Sequence, residues 1–210
     1  MVLKFYRNND KKVNTTKNNK TFINMNRKND ECYTRQIEAD KLVNYLFNHK
    51  IINIEQKIWL PFNDYKGSIY KALKKKGFKH LLTNRKDFYE KIEEKFNFDI
   101  IISNPPFSGR SKLFLKLMEL DKPFILLQPI MFFNNGTCIK ILTKYGAKFG
   151  GICPSYRMTF DRNFGFLCPN KNMGFVINNV ERKSTSAFYS FWLCFKTKIT
   201  GFTPMENENI

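Results

Sequence analysis

The chain has 210 residues, 42% of them hydrophobic and 22 of them Phe, enough for one globular domain with a substantial core. Its formal net charge of +18 favours a polyanionic partner, above all nucleic acid, although a Lys-, Asn- and Ile-rich codon usage would raise the charge without such a role. No apolar run reaches membrane-spanning length and no secretory signal is visible, and 5 scattered cysteines without paired spacing argue for free thiols in a cytoplasm and against a disulfide framework or a zinc site.

In chain order, residues 1–30 carry eight Lys or Arg against Asp10 and Asp30, with few apolar side chains after Phe5 and Tyr6. This predicts a flexible basic arm. The catalytic or binding domain is expected over residues 31–200, with a tail at 201–210. A helix is predicted from about Arg35 to Lys50, with Ile37, Leu42, Val43, Leu46 and Phe47 at helical spacing and Thr34 as N-cap. Ile58–Leu60 reads as a strand ended by Pro61. Phe62, Asn63 and Asp64 follow, then a Gly67-Ser68 turn and a short helix over Ile69–Lys76. This strand–loop–helix layout suits a nucleoside-binding βαβ unit, yet it lacks the G-x-G-x-x-G fingerprint. The second strand falls within Gly77–Thr83, and no acidic residue follows it to hold a ribose. Asp87-Phe88 then opens a predicted helix to Phe96, where Asp87 is equally a plain N-cap and Phe88 a core aromatic.

The stretch Phe98–Phe107 organises the chain. Ile100, Ile101 and Ile102 are apolar and β-branched, as in a strand buried on both faces of a parallel sheet. Asn104 stands where that strand ends, and open α/β sheets bind ligands at the carboxyl ends of their strands. Pro105 and Pro106 fix φ and remove two backbone donors, which leaves a corner rich in acceptors. Phe107 follows as an aromatic ring expected to be exposed on a loop. Acceptors beside an aromatic face suit a planar group bearing an amino substituent. The bland alternative is a proline-stiffened turn after a core strand.

The Asn104-Pro105-Pro106-Phe107 corner resembles the catalytic motif of amino-group methyltransferases. Together with Tyr33-Thr34 ahead of the first strand and Pro61-Phe62-Asn63-Asp64 after it, it resembles the EcoRI-like adenine-specific methyltransferase family, common in phages. Arg35 stands where that family has a proline. The resemblance implies a class I methyltransferase fold, a Rossmann-like α/β sandwich with a mainly parallel sheet and a C-terminal antiparallel hairpin. It implies S-adenosylmethionine as methyl donor, met by Tyr33, Pro61, Phe62, Asn63, Asp64, Asp87, Phe88 and Asn104. Asn104 and the Pro105 carbonyl would accept hydrogen bonds from the substrate amine, with Pro106 stiffening the corner and Phe107 stacking on an extruded base. The implied reaction is methylation of adenine N6 in DNA. RNA adenine, cytosine N4 and a glutamine amide remain open as substrates, as does a nucleic-acid-binding module whose methyltransferase site has decayed.

Beyond the corner, helices are expected over Ser111–Leu120 and Ile139–Tyr145 and a buried strand over Phe124–Leu127. From Phe149 short apolar runs alternate with turns, ending in an aromatic strand over Phe188–Phe195. Arg110 on the loop after the corner, and Arg157, Arg162 and Lys171 amid Tyr156, Phe160, Phe164 and Phe166, are the candidate nucleic-acid contacts. Core strands with solvated basic side chains would read the same way. No separate target-recognition domain is evident, which leaves a homodimer or a separate specificity subunit open.

Overall fold

A computed structural model describes residues 32–62, 67–83, 88–89, 97–107, 109–162, 176–177, 180–181 and 189–206. The basic arm of residues 1–30 lies outside them. Ile100–Ser103 forms β4, and all four of its residues are buried. It lies between the parallel strands β2 (Ile58–Leu60) and β5 (Phe124–Pro129). Successive side chains of a strand point to opposite faces. Ile100 and Ile102 therefore join one core, with Leu42 and Leu46 of helix α1 (Gln36–Asn48) and Ile69 and Leu73 of α2 (Ser68–Lys75). Ile101 joins the other, with Leu113, Phe114 and Leu117 of α3 (Arg110–Leu120) and Ile141 of α4 (Gly136–Tyr145). Each such side chain contributes about 1.5–3 kcal/mol by leaving water, so the helices clamp the sheet from both sides.

On the other side of β2 lies the parallel strand β3 (Leu81–Thr83). The chain leaves β2 towards β3 and returns to β4 on the opposite side, so the sheet's connections diverge between β2 and β4. At the far side, β10 (Ser190–Phe195) runs antiparallel between β5 and β6 (Phe149–Pro154). Its rings add cross-strand contacts, with Phe195 stacked on Phe124 at a centroid distance of 5.0 Å. The seven-stranded sheet has the order β11-β6-β10-β5-β4-β2-β3, β10 alone running against the rest. Short pairs stand apart from it: β1 (Cys32–Thr34) with β7 (Phe160–Arg162), and β8 (Val176–Ile177) with β9 (Val180–Glu181). A mainly parallel sheet covered by helices on both faces, with one antiparallel strand inserted near its C-terminal end, is the class I methyltransferase, Rossmann-like architecture expected from the sequence.

Two expectations are corrected. Residues 201–205 are not tail: Gly201–Met205 is strand β11, parallel to β6, which would otherwise be an open edge. Thr34 is not the N-cap of α1. The helix starts one residue later, with Arg35 at the cap and no side-chain capping bond, because Thr34 is held in β1 opposite Phe160. Phe88 and Tyr89 form a turn, and the rest of the helix predicted to Phe96 lies outside the described residues.

The β6–β11 edge closes around Gly150. A Cβ there would press into the Ile199 carbonyl oxygen, a backbone atom that cannot swing aside. Gly150→Ala is expected to destabilise the protein by about 1–3 kcal/mol, which for a chain of this size lowers the melting temperature by roughly 2–4 °C per kcal/mol. An unchanged thermal melt would contradict this close approach.

Candidate active site

The carboxyl ends of β2 and β4 lie side by side where the sheet's connections diverge, the place where such sheets bind ligands. From β4 comes Asn104, half-buried, followed by buried Pro105 and exposed Pro106. The Asn104 amide Nδ2 donates to the Thr34 hydroxyl oxygen at 3.1 Å. Thr34 is only 7% exposed. Its backbone carbonyl accepts from the Ser68 hydroxyl at 2.6 Å, at the first turn of α2. Thus β1, the start of α2 and the end of β4 meet at one residue. A second tie comes from Gln36, whose Nε2 donates to the Ser68 carbonyl at 3.2 Å and to Asp40 at 2.9 Å.

Beneath this junction lies a buried carboxylate. Glu38 is 3% exposed and accepts from the Tyr156 hydroxyl at 2.8 Å, the Thr159 backbone N–H at 3.0 Å and the Thr159 hydroxyl at 3.1 Å. A desolvated charge is tolerated only with such partners. Arg35 Nη1 also donates to the Thr159 hydroxyl, at 3.4 Å. The bonds tie the first turn of α1, and so the chain leaving Thr34, to the loop after β6.

On the opposite face of β2, Trp59, Phe62 and Phe88 form an aromatic wall. Phe88 lies 5.4 Å from Trp59 and 5.0 Å from Phe62 between ring centroids. Phe88 is 1% exposed, so its ring is core-packed, and Pro61 is buried beside it. Tyr33 is 47% exposed on β1, opposite Asp161 of β7. Asn63, Asp64, Asp87 and Lys171 lie outside the described residues.

The expectation of an exposed Phe107 is overturned. Its ring is buried, at 8% exposure. A phenyl side chain at a loop end removes more apolar area from water by folding onto the protein than by standing in solvent. Of the basic candidates, Arg110 opens α3 and its Nη1 donates to the Met131 carbonyl at 3.4 Å, just past the carboxyl end of β5. The Arg157 guanidinium lies 4.7 Å from the ring centre of Tyr189, which is half exposed at the start of β10. Arg162 is on β7, opposite Cys32. Because β10 is antiparallel, its start lies at the same sheet edge as the ends of β4, β5 and β6. Arg110, Arg157 and Tyr189 therefore share the edge that carries Asn104.

Sequence reasoning passed over Thr34 as a polar contact, along with Ser68, Glu38 and Tyr189. The Thr34–Asn104 and Tyr156–Glu38 bonds span 70 and 118 positions, beyond any local spacing signal. Tyr189, inside the strand predicted over Phe188–Phe195, was the one whose place could be read.

No protein-family model matches the chain, and no curated protein sequence matches it. Among solved structures it is similar to a type I restriction-modification system methyltransferase subunit from Streptococcus thermophilus, at 13% identity and a TM-score of 0.48, covering 83% of this chain and 47% of that one. It is also similar to the branched-chain polyamine synthase from Thermus thermophilus, at 12% identity and a TM-score of 0.44, covering 82% of this chain and 59% of that one. The chain thus spans about half the length of these two proteins. Among the described residues no helix is long and apolar enough to cross a membrane.

The Glu38 cluster makes a pH prediction. Burial, then the hydrogen bond and charge of Glu38, push the Tyr156 phenol far above its ordinary value. An unfolded tyrosine loses its proton near pH ~10, while the folded one keeps it. Above that pH the native state binds more protons than the unfolded state, so stability falls as pH rises. Tyr156→Phe is expected to cost about 1.5–3 kcal/mol at neutral pH, as a hydrogen bond to a charged group is lost. It should also flatten the decline above pH ~10. Urea unfolding of both proteins at pH 8, 10 and 11 measures this, and parallel declines would show that Tyr156 is not the group responsible.

Proposed function

We propose that the chain transfers a methyl group from S-adenosylmethionine to the N6 amino group of adenine in DNA. The observation that carries this reading is Asn104, a polar side chain at the end of the central buried strand, fixed by Thr34 beside the point where the sheet's connections diverge. The Asn-Pro-Pro-Phe sequence at that place supports an amine as the group bound. The net charge of +18 supports nucleic acid over a protein amide.

The donor fits the crevice between β2 and β4. Half-buried Phe62, backed by the core ring of Phe88, gives an apolar side and Asn104 a polar side. Asp64 and Asn63, which follow β2 in the sequence, would hold the amino-acid end of the cofactor, and Tyr33, Pro61 and Asp87 would complete its surroundings. S-adenosylmethionine supplies a methyl group on a sulfonium, a leaving group that departs neutral.

The chain's own task is to bring an amine to that methyl. An exocyclic amine of adenine is a weak nucleophile because its lone pair is delocalised into the ring. Asn104 Oδ1 and the Pro105 carbonyl accept its two hydrogens and favour a tetrahedral nitrogen, which frees the lone pair. Holding nitrogen and methyl in line lowers the barrier further. The extra proton of the methylated amine goes to solvent. The base must leave the duplex to arrive there. Arg110 and Arg157 hold the phosphates, with Arg162 and Lys171 further candidates from the sequence. Target choice comes from loops or from another subunit.

Asn104→Ala is expected to lower turnover by roughly 10²–10³, the scale for deleting one preorganised polar group. Binding of S-adenosylmethionine should change little, and stability should fall by about 1 kcal/mol as the bond to Thr34 is lost. Labelled methyl transfer to DNA, with nucleosides identified by mass spectrometry, is the measurement. Labelled cytosine N4, or label in RNA alone, would move the substrate. A second reading, a binding module with a decayed donor site, draws on the missing glycine fingerprint. It predicts no heat when S-adenosylmethionine is titrated in by calorimetry, and heat that weakens in Asp64→Ala would overturn it.

A further inference from the structure

We propose that the edge of the sheet opposite Asn104 is a second surface for nucleic acid, one that takes the phosphate backbone of duplex DNA. It does not depend on the methyl-transfer reading. Lysines stand along the edge where the parallel strands begin. Lys57 immediately precedes β2, Lys79 lies just before β3, Lys122 just before β5, and Lys148 immediately before β6. Lys196 and Lys198 occupy the turn from β10 to β11, which the antiparallel course of β10 brings to the same edge. In the strand order the row runs from Lys198 through Lys148, Lys196 and Lys122 to Lys57 and Lys79, with Asp99 at the start of β4 between Lys122 and Lys57. Neighbouring strands lie about 4.8 Å apart, so the sheet spreads the row over roughly 30 Å.

Helix dipoles do not account for the row. Cations gather at helix C-termini, as Lys74 and Lys75 do in the last turn of α2, but a sheet has only a small net dipole. Lys57, Lys79, Lys122 and Lys198 lie outside every helix. Nor do carboxylates neutralise it. Asp99 Oδ2 accepts from the Lys57 backbone N–H at 2.7 Å, and Asp121 accepts from the Lys196 ammonium. Among the described residues none of the other five lysines is in an ion pair, and all five are exposed. Glu55, close to Lys57 in sequence, is exposed too, but one carboxylate does not offset the row. Lys122 and Lys148 lie 5.9 and 5.7 Å from the ring centres of Phe98 and Tyr145, contacts that leave their charge in place.

Such a row repels itself and favours a long, evenly charged polyanion. Duplex DNA carries one charge per about 1.7 Å of axis, so the row matches roughly nine base pairs. Lysine is a flexible point charge, suited to phosphates more than to base edges, so binding there is independent of sequence. Strands such as β5, with 6 residues, hold this edge about 20 Å from the one carrying Asn104. A duplex engaged at Asn104 lies across the other end of the sheet, so the row takes a second segment.

The test uses the full chain without S-adenosylmethionine and two short duplexes of unrelated sequence, one carrying a donor dye and the other an acceptor. The wild-type protein should bring them together and give energy transfer. Lys57→Gln, Lys79→Gln, Lys122→Gln, Lys148→Gln and Lys198→Gln combined should lower transfer about ten-fold or more, while one duplex still binds to within a few-fold. The pairs Lys57→Gln with Lys79→Gln, and Lys122→Gln with Lys148→Gln, should each lose part of the transfer. In each pair the slope of log K against log salt for the second duplex should shrink by about 0.9 per lysine replaced. These pairs carry the comparison if thermal melts show that the combined variant does not fold. Unchanged transfer and slope in folded variants overturn the inference. So does polyglutamate that, at equal charge concentration, displaces the second duplex as well as unlabelled DNA does, which assigns the row to an acidic protein. Bridging by a protein that transfers no methyl group to DNA supports this inference and overturns only the reading of the Asn104 corner.

Discussion

The hydrogen bond from Asn104 to Thr34 is the constraint on which the geometry of this site depends. It sits at the end of a strand buried on both faces. Ile100, Ile101 and Ile102 are each no more than 2% exposed and serve both cores. The following prolines offer no N–H to extend a ladder, so the backbone turns out of the sheet there. A polar side chain at such a point is placed by the whole domain. The bond then carries that placement to the N-terminal segment, and Ser68 carries it to the start of α2.

Magnitudes separate what holds the fold from what shapes the site. Burying one isoleucine is worth about 1.5–3 kcal/mol, and two cores on either side of the sheet contain dozens of such side chains. A single hydrogen bond contributes about 1 kcal/mol net. The polar contacts around Thr34, Ser68 and Asn104 are therefore minor for stability. What they decide is position: where the Asn104 side chain stands at the end of β4. Glu38 differs, because a buried carboxylate left without Tyr156 and Thr159 would cost more than its contacts contribute. It works as a lock on the turn that carries Thr34.

The basic character of the chain is diffuse in sequence and local in space. The ion pairs among the described residues are surface contacts such as Lys75–Asp40 at 3.9 Å, which add little to stability. At the edge bearing Asn104, by contrast, Arg157 lies over the exposed ring of Tyr189 and Arg110 caps the return from β5. A guanidinium on an aromatic face keeps its outer surface and donors available to an anion.

What the sequence determined by itself is local. Three adjacent β-branched residues specify a strand buried on both faces, two prolines specify its end, and the spacing of leucines and phenylalanines specifies α1, α3 and α4 to within a few residues. Composition determined the charge. Each of these follows from a residue's own conformational preference and its affinity for water. Only the tertiary structure decided the rest. Thr34 reads as a helix cap because hydroxyls cap helices, yet its partner lies 70 residues away. Phe107 reads as a loop ring, yet it is folded inward. Gly201–Met205 falls in the stretch read as a tail, yet the open edge of β6 recruits it as a strand. In each case the deciding partner is brought close by the packing of other elements, and a short window of sequence contains no term for it.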